Sequence, residues 1–294
     1  MTAIQTRPQP TTLHTVVSPQ LELTVGCDRN AQSFALPQYA AYPFRLSRCF
    51  RFDADAPRRA YFYVMNASPG LLANDRLEIT VKLNDHSQLY LTDQAALKVH
   101  SMPTPRSFAQ VMQRIEVGIN ACLEYLPEPI ILYPDAELNV RSHLTLHPTA
   151  QLFWSEMILP GRLARDEWYN FRHYNNRLQV HAPDGTLLFC DAMLLEGQTN
   201  PFKDQPLFCS LPVIGNIVAV LPEIDLAQLT TLLSAFQLTE HQQLQASYST
   251  LPNCNGLLIR AIADSISTLK AYIHFVLNHI RQLTQQSPLP EVPK

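Results

Sequence analysis

Residues 76–91 read RLEITVKLNDHSQLYL and residues 137–147 read ELNVRSHLTLH. In the first stretch Leu77, Ile79, Val81 and Leu83 fall on one side, opposite Glu78, Thr80 and Lys82. After the turn Asn84-Asp85-His86-Ser87, Leu89 and Leu91 resume the pattern. In the second, Leu138, Val140, Leu144 and Leu146 oppose Glu137, Asn139, Arg141, His143, Thr145 and His147. Period two over successive segments marks strands with one buried and one wet face, and the pattern predicts antiparallel pairing. These strands belong to a block from Pro69 to about Glu167 whose charged residues gather at the segment ends.

Moving outward, Leu21, Leu23 and Val25 alternate at the end of an extended segment over residues 13–25, and residues 60–65 read as a strand. The sequence Pro183-Asp184-Gly185 between RLQVHA and TLLFCD signals a hairpin. The register changes after Asn216. Residues 223–237 carry Leu226, Leu229, Leu232, Leu233 and Phe236 at helical spacing. A longer helix is predicted over residues 264–285, where Ile266, Leu269, Ile273, Val276, Ile280 and Leu283 recur and Asp264 or Ser265 can cap it. Its apolar stripe calls for a partner, most simply the strand block. The expected organisation is a loose tail over residues 1–12, one domain over 13–285 and a disordered tail over 286–294. Strands come first and helices late, an α+β or mainly β chain with no repeat of fixed period.

Of 294 residues, 46% are apolar and 16% charged, which suffices for a sizeable core. Eight glycines against 23 prolines favour short strands and proline-punctuated turns. A net charge of −3 offers no basic footprint, so neither nucleic acid nor an anionic membrane is an expected partner. The first seventeen residues, MTAIQTRPQPTTLHTVV, lack the apolar segment of a secretory signal. The runs LPVIGNIVAVLP and GLLIRAIA fall short of the ~18 residues of a membrane span. A soluble, cytoplasmic chain is therefore expected. Six scattered cysteines without a CxxC pair read as free thiols packed as small apolar groups.

Phosphate-loop, dinucleotide, nucleophile-elbow and HExxH motifs are all missing. His143 and His147 share a strand face but stand ~13 Å apart, too far to hold one ion. His274 and His279 diverge around a helix. Carboxylates are more informative: Asp75, Glu124, Asp135, Glu156, Asp166 and Glu167 punctuate the central block beside apolar runs. A charge there needs a partner or water. Three readings are open. The carboxylates form ion pairs with Arg76, Lys98, Arg162 and Arg165. Two of them serve as the acid and base of a carbohydrate-binding or glycoside-hydrolysing protein. Or they line a water-filled passage for a cation, since oxygen ligands release such ions readily.

At these residues the chain resembles the urease accessory protein UreD family, called UreH in some organisms. Asn74-Asp75-Arg76-Leu77 is similar to the family's Gly-Gly-Asp-x-Leu, and LTDQAALKVH at 91–100 to its Leu-Thr-Thr-Gln-Ala-Ala-Thr-Lys-Val-Tyr. LEYLPE at 123–128, IILYPDA at 130–136, Trp154-Ser155-Glu156 and Gly161-Arg162-x-Ala164-x-x-Glu167 follow in the family's order. The chain departs from the pattern in a glycine-poor turn, Pro69-Gly70-Leu71-Leu72-Ala73-Asn74, in Asp166 where the family has Gly, and in SPLPEVPK where it has Pro-Arg-Ile-Trp.

The resemblance implies a mainly β, helix-like stack of many short strands with two α-helices in the C-terminal third. It implies a maturation factor, not an enzyme, with no tightly bound cofactor. The expected partners are UreF, the GTPase UreG through UreF, and apo-urease, with nickel(II) in transit through an internal passage. Carried over by position, Asp75, Lys98, Glu124, Asp135, Glu156, Arg162 and Glu167 are the candidates for lining or bracing that passage, with Asp75 also suited to forming a turn.

Overall fold

The computed structural model describes residues 19–54 and 58–293. The expected tail over residues 1–12, and the start of the extended segment at 13–18, lie outside the described residues. In chain order the strands of the first half are β1 (Leu21–Cys27), β2 (Ser33–Ala35), β3 (Tyr39–Ala40), β4 (Phe44–Leu46), β5 (Ala60–Asn66), β6 (Arg76–Leu83), β7 (Gln88–Asp93), β8 (Leu97–Val99) and β9 (Ala109–Val117). The second half adds β10 (Cys122–Leu126), β11 (Ile130–Leu132), β12 (Glu137–Leu146), β13 (Gln151–Leu159), β14 (His173–His181), β15 (Leu187–Leu195), β16 (Val213–Val220), β17 (Leu244–Thr250) and β18 (Gly256–Ala263). Helices are α1 (Pro206–Ser210), α2 (Leu226–Leu233) and α3 (Ile266–Leu283).

From β5 to β14 the chain winds between two sheets. The first runs β15-β14-β12-β9-β6-β1-β2, and the second β17-β18-β16-β13-β10-β7-β5-β4. In the first sheet Leu77 lies beside Val111, Val111 beside Val140, and Val140 beside Asn176, all in parallel register. In the second, Tyr61, Tyr90, Glu124 and Phe153 form a matching parallel column. The mainly β, stacked architecture is thus a coil of strands. Its turns are 34, 29 and 36 residues along the first column, so no fixed period is visible in the sequence.

The expected antiparallel pairing is wrong for the central strands. Alternation reports that one face is wet; it does not report strand direction. Parallel sheets are generally covered on both faces. Here the chain crosses over through strands of the opposite sheet, not through helices, so the outer face of the first sheet stays in water. Antiparallel pairs do flank the coil, β1–β2 and β4–β5 where it begins, and β14–β15 across the expected turn and β13–β16–β18–β17 where it finishes.

Three layers result. Leu77, Val81, Leu123 and Leu152 belong to the core between the sheets. On the other face of the second sheet, Tyr61, Tyr90 and Phe153 pack with Leu269, Ile273, Val276 and Ile280 of α3. β16 is buried along its whole length because both layers cover it. Gly215 lets α3 approach, since a Cβ there would stand 2.6 Å from a methyl of Leu269. Ser265 caps α3 by accepting from the Thr268 N–H at 3.2 Å. Helix α2 is shorter than the apolar spacing suggests, starting at its Asp225 cap and ending at Leu233. Phe236 lies beyond its end yet still packs on Tyr272 and Phe275, so burial outlasts the helix.

Residues 286–293, expected as a disordered tail, have no regular structure but lie against the second sheet and α3. Leu289 and Val292 pack on that core, and the Tyr63 hydroxyl donates to the Pro293 carbonyl at 2.6 Å. All six cysteines are free; Cys122 is buried, whereas Cys190 and Cys209 are exposed and do not pack as core. Among the described residues no helix is long and apolar enough to cross a membrane.

Candidate functional site

Inward-facing polar side chains interrupt the apolar faces of the first sheet. Gln113 follows Val111 on β9, Ser142 stands between Val140 and Leu144 on β12, and Asn176 between Tyr174 and Leu178 on β14. All three are buried. The Ser142 hydroxyl donates to Gln113 Oε1 at 2.7 Å, and Gln113 Nε2 donates to the Tyr125 hydroxyl at 2.8 Å. These groups border a cavity of about 80 Å³ between the sheets, whose lining includes Gln113, Tyr125, Ser155 and Glu156. That is room for a few water molecules in a polar setting.

Glu156 is the most buried of the three carboxylate side chains, with Asp93 and Glu128, that line this cavity. It is 8% exposed and accepts from the Tyr174 hydroxyl at 2.5 Å, from Asn176 Nδ2 at 2.9 and 3.0 Å, and from Asn216 Nδ2 at 3.2 Å. Burial pushes its carboxyl above the ordinary value, and the three donors pull it back only in part. Burial also raises Tyr174, with the neighbouring carboxylate adding to the effect. No arginine or lysine pairs with Glu156 among the described residues.

The cavity has neighbours on two sides. Asn216, a partner of Glu156, lines a groove of about 340 Å³ at the open end of the coil, together with Met193, Phe202, Phe208 and Arg260. On the helix side a third cavity of about 110 Å³ shares Pro127, Glu128, Ser155 and Met157 with the central one and adds Lys270 and His274 from α3. A line of polar groups therefore crosses the molecule from Arg260 through Asn216, Glu156 and Ser155 to Glu128.

Glu124 faces away from this line. It stands on the opposite face of the second sheet from Glu156, in the column with Tyr61, Tyr90 and Phe153. Both its oxygens are taken by Arg281, at 2.8 and 2.5 Å, and Arg59 lies 3.3 Å away. Asp53 completes a buried group of two arginines and two carboxylates. Because the two buried carboxylates of the strand block face opposite layers, they do not flank a common bond as an acid and base must.

The remaining candidates collect at one end of the coil, where successive turns stack. His100 N–H donates to Leu71 O, Met102 N–H to Asp135 O, and Asp135 N–H to Asn170 O. Asp75 forms its turn, its carboxylate accepting from the Leu72 N–H at 2.7 Å, and Asn74 supplies the positive φ of 67°. The scarcity of glycine there is met by an asparagine, the side chain that tolerates this backbone best after glycine. Lys98 is exposed. Asp135 is exposed and accepts from Gln198 at 2.8 Å. Arg162 grips Glu167 through two hydrogen bonds of 2.6 and 2.5 Å and stacks over the Tyr133 ring at 4.4 Å. That hydrogen-bonded arginine holds the Glu167 carboxyl below its ordinary value.

Of the sequence candidates, then, the structure joins Arg162 to Glu167 and places Glu156 in the cavity line. It leaves Asp75, Lys98, Asp135 and Glu124 elsewhere. Of the expected ion pairs, Arg162–Glu167 is the one that forms among the described residues. Gln113, Ser142, Asn176, Asn216 and Glu128 were missed; the visible signal for the first three was a polar residue at an inward position. Among the described residues no three His, Cys, Asp or Glu side chains converge to hold a metal ion.

Comparison with known proteins adds the lineage. Residues 18–294 match the family described as UreD urease accessory protein. The urease accessory protein UreD of Trichodesmium erythraeum is 43% identical over 274 residues, covering 93% of this chain and 98% of that protein. UreD of Haloarcula marismortui is 29% identical over 271 residues, 92% and 88% of the two chains. UreD 2 of Brucella canis is 26% identical over 273 residues, 92% and 89%. A match over nearly the whole length, with a relative at this identity, shows that the chain belongs to the UreD family of urease accessory proteins.

Proposed function

We propose that the protein acts in the maturation of urease as a scaffold that passes nickel(II) to the apo-enzyme through its interior. It binds UreF and, through it, the GTPase UreG, and the assembly docks on apo-urease in the cytoplasm. Family membership carries the urease role. The observation that supports passage is the line of three cavities, joined by the Asn216–Glu156 hydrogen bond at one end and by four shared lining residues at the other. Nickel is cargo on this reading, and weak oxygen-rich contacts suit release better than a thiolate cage.

The test is genetic and biochemical together. Deleting the gene in its host is expected to abolish nickel-dependent urease activity while urease polypeptide levels stay unchanged, and the wild-type gene is expected to restore it. Normal activity in the deletion strain overturns the role. Co-expressed UreF is expected to copurify with this chain; failure to do so across a range of salt concentrations counts against the scaffold.

A further inference from the structure

The two sheets end on strands that are protected to different degrees. β2 and β4 have three residues each. β15 is longer, but it carries Asp191, which turns in to Arg260 at 2.6 Å, and its register with β14 shifts at Val180/His181. Short strands, inward charges and such irregularities keep an open edge from pairing with another chain. β17 has none of them. Its sequence, LQASYST, contains no charge and no proline, and it pairs with β18 without a register shift. Among the described residues no strand lies on its other side. Every residue of the strand except Leu244 is exposed, Tyr248 at 49%.

The pairing on the near side decides what the free edge offers. The Leu251 N–H donates to the Gly256 carbonyl and the Asp264 N–H to the Gln243 carbonyl, both at 3.0 Å. Odd-numbered residues along this stretch therefore bond to β18. In an antiparallel ladder the alternate residues turn their N–H and C=O the other way. Leu244, Ala246, Tyr248 and Thr250 thus aim donor and acceptor away from the sheet, placed symmetrically about Ser247.

We propose that β17 is a dimerisation edge: a second copy of this chain lays its own β17 antiparallel against it, about a two-fold axis at Ser247. In that register Ala246 exchanges both backbone hydrogen bonds with Tyr248 of the second copy, and Leu244 does so with Thr250. Ser247 faces its own counterpart at a non-hydrogen-bonded position. Gln245 faces Ser249, an amide against a hydroxyl that can accept from it. The Tyr248 ring lies beside the Ala246 methyl, so large meets small. A charged edge would set like charges against each other across the axis. This edge has none to oppose, which is the charge complementarity a strand needs to meet itself. Gln245 and Ser247 also line the groove of Asn216 and Arg260. A two-fold axis perpendicular to the sheet keeps that face on one side in both copies, so the two grooves become halves of one cleft. Nothing in this pairing depends on nickel passing through the interior.

The experiment starts with sedimentation equilibrium of the purified full-length chain from about 5 to about 200 μM, a range suited to a small interface. A monomer–dimer equilibrium is expected. Ala246→Pro removes an outward N–H while sparing the bonds to β18, and is expected to weaken the dimer about tenfold or more. Cross-linking then tests the register, in a chain whose exposed thiols are removed by Cys190→Ser and Cys209→Ser. Ser247→Cys places two thiols opposite each other with Cα atoms about 4.5 Å apart, within disulfide range. Ser249→Cys places them about 14 Å apart. Mild oxidation is expected to form covalent dimer from the first at least about tenfold faster than from the second. A chain that stays monomeric throughout overturns the proposal, as does a dimer that Ala246→Pro leaves intact with wild-type circular dichroism, or equal cross-linking by the two cysteines. A monomer whose copurification with UreF is lost in Ala246→Pro also overturns it, and assigns the edge to a strand of that partner.

Discussion

Replacing Arg281 with methionine tests what holds the C-terminal helix to the sheet. Arg281 is 1% exposed and uses all three of its nitrogens. Nε and one terminal nitrogen hold Glu124; the latter also donates to the Tyr61 hydroxyl at 3.2 Å. The other donates to Asp53 at 3.2 Å and to the carbonyls of Ser287 and Pro288 at 3.4 and 3.3 Å. Burial alone would lower the guanidinium's pKa, but the Glu124 carboxylate overrides it and keeps the arginine charged. With Arg59 and Asp53 included, the group is formally neutral. Arg281→Met leaves two buried carboxylates facing one arginine, 3.3 and 3.9 Å from it. Breaking a buried pair from one side costs about 3–5 kcal/mol. For a chain this long that lowers the melting temperature by roughly 10 °C. Removing Glu124 as well restores the balance, because Arg59 and Asp53 neutralise each other. The double variant Arg281→Met/Glu124→Leu should therefore lose less than Arg281→Met alone, with a coupling energy of about 2 kcal/mol or more in a double-mutant cycle by urea unfolding. Singles that add in the double variant, or a single that costs under about 1 kcal/mol, would refute the argument. Limited proteolysis adds a local readout, since residues 287–293 lose the side chain that grips their first two carbonyls.

Two further outcomes follow from the strand block and its turns. Glu156 is raised above its ordinary value of 4.5 by burial, so the native state binds its proton more tightly than the unfolded chain does. Its contribution is complete below that value and is lost as pH rises through the native pKa, so Glu156→Gln should gain on the wild type as pH increases. Thermal melts at about pH 4 and about pH 7.5 check the sign; a difference between variant and wild type that is constant or reversed between them counts against the assignment. In the turn that carries Arg162 and Glu167, Gly161 has φ 143° and a Cβ there would stand 1.8 Å from the Glu167 carbonyl oxygen, whereas Asp166 sits at φ 59°. Gly161→Ala should cost about 2 kcal/mol or more, and Asp166→Gly should be neutral or stabilising by up to about 1 kcal/mol. Melts of the two variants that move together would show that the backbone argument is misplaced.

Much of the fold was legible because burial has a period. Leu77 to Leu83 and Leu138 to Leu146 announced strands with one wet face, and Ile266 to Leu283 announced a helix that needed a sheet. Strand direction was not legible: Val111 and Val140 are neighbours only because one turn of the coil, through β10 and β11 in the other sheet, returns the chain to the same column, and alternation looks the same in either direction. The candidate site was legible in part. Glu156 stood out as a charge inside an apolar run. Ser142 and Asn176 were visible only as gaps, where Val140-x-Ser142-x-Leu144 and Tyr174-x-Asn176-x-Leu178 put a polar side chain on the inward face. Glu128 was hidden because its place between two cavities follows from how β10 and β11 pair with β13, which is a property of pairing. Arg59 and Arg281 were hidden for a similar reason, since their carboxylate is more than a hundred residues away from Arg281 in the chain.

The two buried carboxylates show how surroundings divide roles that residue type leaves undivided. Glu124 has two guanidiniums against it, so its charge is spent in place and an incoming cation would have to displace an arginine that makes four other hydrogen bonds. That arrangement fixes α3 on the sheet. Among the described residues Glu156 is met by neutral donors, a phenol and two amides, which satisfy its oxygens without cancelling its charge. Two of those donors are asparagines, and rotating an asparagine amide by half a turn presents an oxygen where a nitrogen was. Asn176 already carries a buried Oδ1 with no hydrogen-bond partner among the described residues. A cation beside Glu156 would thus find a carboxylate whose neighbours can turn from donors into ligands at the cost of a side-chain rotation, with no ion pair to break. The strand block thus separates a lock, on the helix face of the second sheet, from the proposed path, which would run along the face toward the first.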